Sequence, residues 1–418
     1  VRALIFAAEG HTGDGGVGAT PGDPRLATAA ALLRLVDMPP PRLPRPDWVL
    51  VAPRLTGICG SEAKQAFLDY APLRAPERAG SLTDNPMKGF ISFPHVLGHE
   101  VVGTVVETGA EARGLSPGDR VVLNPWLTCA PRGVDPVCGA CAAGDLSQCW
   151  SFDRGGIAPG MHIGLCRDVP GGFAELMAAH DSMWHPVPDG LSDEAAVLAD
   201  PFAVSLHAVT RHAPAPGNRV LVYGAGALGC CAVAILAALH PDVEVGCVAR
   251  WDAQRRIVAA LGARVFEPEP RDALIEELVA WAGGRLWPAD GLPMALPAGI
   301  DVVYDTVGAP ETLEVGCRVL RTRGTLVKLG MDGAARWEDT PVYFKELTFT
   351  GSNAFGVEEV EGRRAHGIAH YLDLAAAGRV DLAGMVTHTF PLDAWPEAFG
   401  ALADQARSGA IKVAFDQR

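Results

Sequence analysis

The chain has 418 residues, 49% of them apolar and 20% charged, the balance of a packed globular protein rather than a disordered or fibrous one. At roughly 100 to 200 residues per domain, it should hold two or three domains. Its net charge of -14 is not gathered into a basic stripe, which excludes the footprint of a nucleic-acid binder and leaves small molecules and sister subunits as expected partners.

Apolar runs never reach the roughly 18 residues that a membrane span needs, so no membrane association is expected. The opening VRALIFAAEGHTGDGG lacks the basic flank and cleavage pattern of a signal peptide, which makes a cytoplasmic location the expectation. In that compartment the ten cysteines should be metal ligands or reduced core thiols rather than disulfides.

In chain order, the first half alternates short apolar segments with Gly and Pro: Ala3 to Phe6, Trp48 to Val51 and Val101 to Val106. These predict strands of a β-rich domain. Polar or Gly/Pro-rich stretches at His11 to Arg25, Tyr70 to Phe93 and Gly283 to Ala298 predict loops. From about Ser192 the pattern changes to strands alternating with Ala-rich helices. Arg219 to Tyr223, Val243 to Val248 and Ile300 to Tyr304 are the strand candidates, which predicts a doubly wound parallel sheet. Past Gly351 a helix around Ala365 to Ala377 and a strand-like tail, Ala410 to Phe415, are expected, the tail rejoining the first domain. The fold class is therefore α/β, with expected domains at 1–195, 196–350 and 351–418.

Cys129, Cys138, Cys141 and Cys149 fall within 21 residues and include a CxxC. Four thiolates this close, in a lobe at 124–150 with little apolar sequence to bury them, suit a closed tetrahedral zinc site. Gly224, Gly226 and Gly229 form a GxGxxG between the strand ending at Tyr223 and the apolar helix Cys230 to Leu239, which is the context a dinucleotide fingerprint requires. The glycines permit a tight turn and close backbone approach, and the helix N-terminus offers free N–H groups to the pyrophosphate. The second strand ends Val248-Ala249-Arg250 with Arg255 and Arg256 nearby, where NAD would call for an acidic residue. Guanidinium groups pair well with a 2′-phosphate, so NADP is favoured over NAD, while Asp252 keeps NAD open.

Taken singly, Cys59, His99 and Asp200 have ordinary readings as a core thiol, a satisfied histidine and a helix cap. They lie in GICGSE, VLGHEVVG and ADPFAVSLHAV, and the chain also carries GAGALG, DTVG, KELTFTGSNAFG and SGAIKVAF. With the four-cysteine lobe, these segments closely resemble the medium-chain zinc-dependent alcohol dehydrogenase family, in particular its polyol, threonine and sugar dehydrogenase branch, over nearly the whole chain. The resemblance implies a β-rich GroES-like catalytic domain followed by a Rossmann coenzyme domain. It implies a catalytic zinc on Cys59, His99 and Asp200, with Glu100 as an exchangeable ligand, and a structural zinc on the four clustered cysteines. Glu62 would orient His99, and Ser61 would relay the alcohol proton, which one hydroxyl can do because it both donates and accepts. Leu228 is expected behind the nicotinamide, Thr306, Val307 and Gly308 near the coenzyme, and Lys412 near its pyrophosphate.

The implied activity is hydride transfer between a secondary alcohol or polyol/sugar-type substrate and NAD(P), with zinc polarising the substrate oxygen, in a homodimer or homotetramer. The alternatives are a carbonyl reductase of the same fold and a catalytically inactive zinc-binding relative. Departures from the family lie in spacing. Cys59 and His99 stand 40 positions apart, which makes Tyr70 to Phe93 an insertion expected beside the substrate cleft, and the gap from Cys129 to Cys138 is also long. Gly283 to Ala298 is a third insertion, without an assigned role, and His95, His207 and His388 are expected to be satisfied polar or surface groups.

Overall fold

Along Trp48–Gly57 buried residues alternate with half-buried ones before running into three buried positions, the pattern of a strand that passes from a half-covered surface into the centre of a sheet. It occupies that centre in the computed structural model, which describes residues 1–7, 23–69, 90–287, 293–332 and 336–418. Of the expected loops at His11 to Arg25, Tyr70 to Phe93 and Gly283 to Ala298, residues 11–22, 70–89 and 288–292 lie outside the described residues. Backbone contacts divide the chain into two units: Val1–Asp200 with Phe355–Val357 and Arg364–Arg418, and Pro201–Ala354 with Glu358–Arg363.

In the first unit a seven-stranded sheet runs in the order Val386–Phe390, Lys412–Asp416, Trp48–Gly57, Glu100–Thr108, Arg120–Leu123, Trp184–Pro186, and Met177–His180 also pairs with the central strand. The tail strand pairs antiparallel with the central strand. Trp48, Val51, Val101, Val121, Met177 and Trp184 form one core face. The other core gathers Leu4, Phe67, Phe173, Trp395, Phe399 and Phe415. Register decides what meets at one end of this sheet. Gly57 stands opposite Glu100 on one side and Ala414 on the other, so Cys59, His99, Glu100 and Lys412 are delivered to the same edge.

In the second unit six parallel strands follow the order Arg264–Phe266, Glu244–Val248, Arg219–Tyr223, Ile300–Asp305, Leu320–Lys328, Thr348–Gly351. This is the doubly wound order with its crevice between the first and fourth strands in sequence. The helix Ala227–Leu239 is buried continuously from Gly229 to Leu236, which explains why its sequence is apolar on every side. Leu221, Val248, Ile275, Leu278, Val303 and Leu326 form the core beneath the sheet. Within the insertion at 283–298, Leu286–Trp287 and Met294–Ala295 pair antiparallel, so the stretch expected as a loop carries two short strands.

Candidate active site

The segment Cys59-Gly60-Ser61-Glu62 builds the first part of the site by helix capping. Cys59 is the N-cap of the helix Gly60–Ala66, and its backbone N–H donates to Glu62 Oε2 at 2.9 Å, the return half of a capping box. The other carboxylate oxygen of Glu62 accepts from Gly98 N at 2.7 Å and lies 2.9 Å from His99 Nδ1, although the ring N–H is not aligned for a full hydrogen bond. Gly98 holds φ at +101°, and a Cβ there would come within 2.5 Å of Phe173 N. Only glycine can turn the chain so that His99 faces inward at this point. With Nδ1 turned to Glu62, Nε2 is the His99 atom left for a metal, the arrangement in which a carboxylate fixes the tautomer of a ligating imidazole.

One ligand atom each from Cys59, His99 and Glu100 lies within 4.8 Å of the others. Thiolate, imidazole and carboxylate together are donors that zinc accepts. Asp200, the expected third ligand, is not among the atoms of this compact set, and Glu100, the expected exchangeable ligand, is. Asp200 is 6% exposed and still faces the group. Burial raises its carboxyl to about 7, Glu100 adds to the rise, and His99 and Lys412 oppose it. Burial pushes Glu62 upward, but His99 and the Cys59 and Gly98 amides outweigh it and hold the carboxyl below the usual range. Burial pulls His99 downward, and Glu62 and Cys59 more than reverse this, so the ring is held above its ordinary value.

Lys412, expected near the coenzyme pyrophosphate, bonds to the ligand set. It is 3% exposed, and its Nζ donates to both oxygens of Glu100 at 2.8 and 2.6 Å and to Ile58 O at 3.3 Å. The ammonium is thus spent on the carboxylate of the ligand set, for which the register of the tail strand is responsible. Burial would lower its pKa, but Glu100 and Cys59 raise it further. Gly57 makes room for the pair, since a Cβ there would lie 2.2 Å from Glu100 Oε2. Ser61 occupies the second position of the capped helix and is half-buried.

The cysteine lobe is a second site. Sγ of Cys149 lies 3.7 Å from that of Cys129 and 3.9 Å from that of Cys138, and all four thiols lie within 4.8 Å of one another without a disulfide. Tetrahedral zinc with bonds of about 2.3 Å spaces its sulfurs by about 3.8 Å, so the cluster fits the ion. A hydrogen bond from Cys141 is the main reason that the Cys149 thiol falls to about 5, while Cys141 itself is pushed up. Arg132 stiffens the lobe from beneath. Only 1% exposed, it donates to the carbonyls of Leu127, Arg154, Ile157, Ala158 and Gly160.

In the second unit the glycine fingerprint has the geometry of a phosphate cradle. Gly224 takes φ +96°, and a Cβ on Gly229 would approach Gly224 O to 1.9 Å, so turn and helix pack too closely for any side chain. Above Gly226 nothing lies within 4 Å of the Cβ position, which leaves the N-terminus of Ala227–Leu239 open to an anion. Thr306 Oγ1 ties this turn to the fourth strand, donating to Tyr223 O at 2.9 Å and Gly224 O at 3.2 Å. Val307, 37% exposed, and Gly308 follow it, and Leu228 is half-buried. Arg250 is exposed beside the Trp251 ring, 5.8 Å from its centroid. Arg255 is engaged by Asp252 at 2.5 Å and Glu267 at 3.4 Å.

His95 and His207 are satisfied polar groups, held by Gln65 and Ser92 and by Glu358, and His388 contacts Thr387. Sequence reasoning passed over His162, whose ring centroid lies 4.7 Å from that of His99. Burial and the neighbouring His99 lower its pKa to about 3. No motif marks it, because its neighbours in space come from separate stretches of chain.

Two family descriptions match the chain: "Alcohol dehydrogenase GroES-like domain" over residues 45–189 and "Zinc-binding dehydrogenase" over residues 227–365. L-galactonate-5-dehydrogenase of Escherichia coli (strain K12) is 31% identical over 312 residues, covering 74% of this chain and 80% of that protein. D-arabinitol dehydrogenase 1 of Uromyces fabae is 28% identical over 320 residues, covering 75% and 80%. The alcohol dehydrogenase of Aeropyrum pernix matches the fold with a TM-score of 0.73 over 100% of both chains, at 22% identity. Neither a carbonyl reductase nor an inactive relative is favoured by this company. With a GroES-like unit, a Rossmann unit and donor sets suited to zinc, the chain belongs to the medium-chain zinc-dependent alcohol dehydrogenase family, whose members are oxidoreductases acting on CH–OH donors with zinc and a nicotinamide coenzyme.

Proposed function

We propose that the chain oxidises a secondary hydroxyl of a polyol or sugar-type substrate to the ketone, and reduces the ketone in reverse, with NADP favoured over NAD. The observation that carries this reading is the convergence of Cys59, His99 and Glu100 on one point. When bound, zinc supplies a Lewis acid for the substrate oxygen and the coenzyme supplies a hydride acceptor. Cys59, His99 and Glu100 would hold the metal, Glu62 would orient His99, and Lys412 would balance the charge of Glu100. Ser61 would carry the substrate proton outward, and Asp200 would face the same centre as a further carboxylate. The four cysteines of the lobe would hold the second ion. The polyol class is supported by the relatives' names, which specify L-galactonate and D-arabinitol.

Gly224, Gly226, Leu228, Gly229, Thr306, Val307 and Gly308 would line the coenzyme, with Arg250 on a 2′-phosphate. Two features support NADP: the strand Glu244–Val248 is followed by Ala249 and Arg250 rather than by an acid, and Asp252 is already paired with Arg255. Arg255 would act in the site by holding Asp252.

The test is a panel of secondary alcohols, polyols and sugars, run with NAD and NADP in parallel on protein of measured zinc content. Polyol turnover with a lower KM for NADP is expected. Because a hydrogen bond to a charged group contributes about 1.5–3 kcal/mol, Arg250→Gln should raise the NADP KM about tenfold or more. A preference of the unaltered protein for NAD beyond tenfold overturns the coenzyme assignment. Absence of turnover with every alcohol, on protein holding both ions, overturns the activity.

We further propose a cytoplasmic homodimer or homotetramer. Thr348–Gly351 is the edge strand of its sheet, Phe349 on it is 41% exposed, and Tyr343 and Phe344 are 82% and 67% exposed nearby. An open edge flanked by apolar side chains invites pairing with another copy. Sedimentation should therefore return a multiple of the chain mass, and Phe349→Glu should shift it toward monomer.

A further inference from the structure

The wall beside His99 carries polar atoms that neither the zinc ligands nor the fold uses. His162 sits where two backbone segments pair: Leu127 N donates to Met161 O and Ile163 N to Pro125 O, both at 2.9 Å, with Trp126 opposite His162. The main chain on both sides of His162 is therefore paired. The ring Nδ1 lies 2.5 Å from Ile163 O. A carbonyl can only accept, so the proton resides on Nδ1 and Nε2 carries the lone pair.

No described residue is seen to bond that Nε2, and His162 is not part of the set formed by Cys59, His99 and Glu100. The ring nevertheless stands 4.7 Å from the His99 ring. Trp126 packs edge-on against it at 5.6 Å, with Phe152 at 6.0 Å and Phe355 at 6.4 Å from Trp126. Trp126 is 6% exposed and its indole N–H has no partner. One acceptor and one donor thus stand in aromatic surroundings beside the metal ligands. A hydroxyl group is the small substrate feature that both donates and accepts.

We propose that His162, backed by Trp126, is a specificity-determining residue that accepts a hydrogen bond from a second substrate hydroxyl on the carbon next to the reacting one. The reacting hydroxyl would be directed to the ligand set, which leaves the donor for His162 to another carbon of the same substrate. An alcohol lacking that hydroxyl leaves Nε2 without its substrate donor, and a site built around a hydrogen bond discriminates strongly against such an analogue. The inference rests on the polyol dehydrogenase reading and assigns to His162 the recognition of a second hydroxyl in that site.

The experiment compares kcat/KM for 2,3-butanediol and 2-butanol, a pair differing by one hydroxyl, in the zinc-loaded holoenzyme. The unaltered protein should favour the diol, and in His162→Phe the diol-to-monoalcohol ratio should fall about tenfold or more. His162→Asn serves as a second variant, because its amide can still donate to Ile163 O while no atom reaches the place of Nε2. The same fall is expected in it. Zinc content and thermal midpoint are measured alongside. A ratio unchanged in both variants, with diol and monoalcohol losing equally, identifies the ring as merely structural and overturns the inference while the dehydrogenase reading stands. If the unaltered zinc-loaded protein turns over neither alcohol nor any polyol of the panel, both fall together.

Discussion

Replacing His99 by alanine should remove one of the two zinc ions and lower kcat/KM by about three orders of magnitude or more, because a metal Lewis acid contributes several kcal/mol to the transition state. Cys59 and Glu100 would then offer two protein donors, and a catalytic zinc normally needs three. The lobe of Cys129, Cys138, Cys141 and Cys149 is a separate set, so its ion should remain. Metal analysis gives the check: a fall from two ions to one, without unfolding. Glu62→Gln supplies the graded comparison. Its carboxylate touches His99 Nδ1 and the Cys59 and Gly98 amides, and loss of such a supporting partner costs about 10–100-fold in metal affinity or activity. A His99→Ala protein that keeps both ions and full turnover would remove the basis of the proposed chemistry.

Lys412→Met should destabilise the first unit by about 3–5 kcal/mol in zinc-free protein, the cost of breaking a buried ion pair from one side. Both partners are secluded, with Lys412 3% and Glu100 1% exposed, and the ammonium touches both carboxylate oxygens. Methionine fills similar space, so the loss reports the stranded charge rather than a cavity. The double variant Lys412→Met with Glu100→Gln should recover most of the deficit, since it removes the charge that was left alone. Denaturant midpoints of the two variants and their parent decide the matter. An equal deficit in single and double variants would mean that packing, not charge, is at stake. Zinc binding should narrow the gap, because a cation near Glu100 replaces part of what the lysine provides.

The two predictions differ in how far the sequence could have led to them. The cysteine lobe and the Gly224–Gly229 turn were legible from spacing alone, because each is a local chemical unit whose parts lie within a few turns of chain. The strand and helix order of the second unit was legible for a related reason. A parallel sheet needs helical crossovers, and the alternation of apolar periods displays them. Glu62 was also reachable from sequence, as the fourth residue of Cys59-Gly60-Ser61-Glu62, where capping geometry turns its carboxylate toward the backbone of Cys59.

Amino-acid order by itself determined the α/β class, the four clustered cysteines and the glycines at Gly224, Gly226 and Gly229, and the family resemblance supplied the donors of the other site. Tertiary structure alone decided that Glu100 lies in one compact set with Cys59 and His99, that Lys412 bonds both oxygens of Glu100, and that His162 stands beside His99. The physical reason is register. The opposition of Gly57 to Glu100 and to Ala414 is settled by pairing between strands far apart in the chain, and one residue of slip would turn every side chain on a strand to the opposite face.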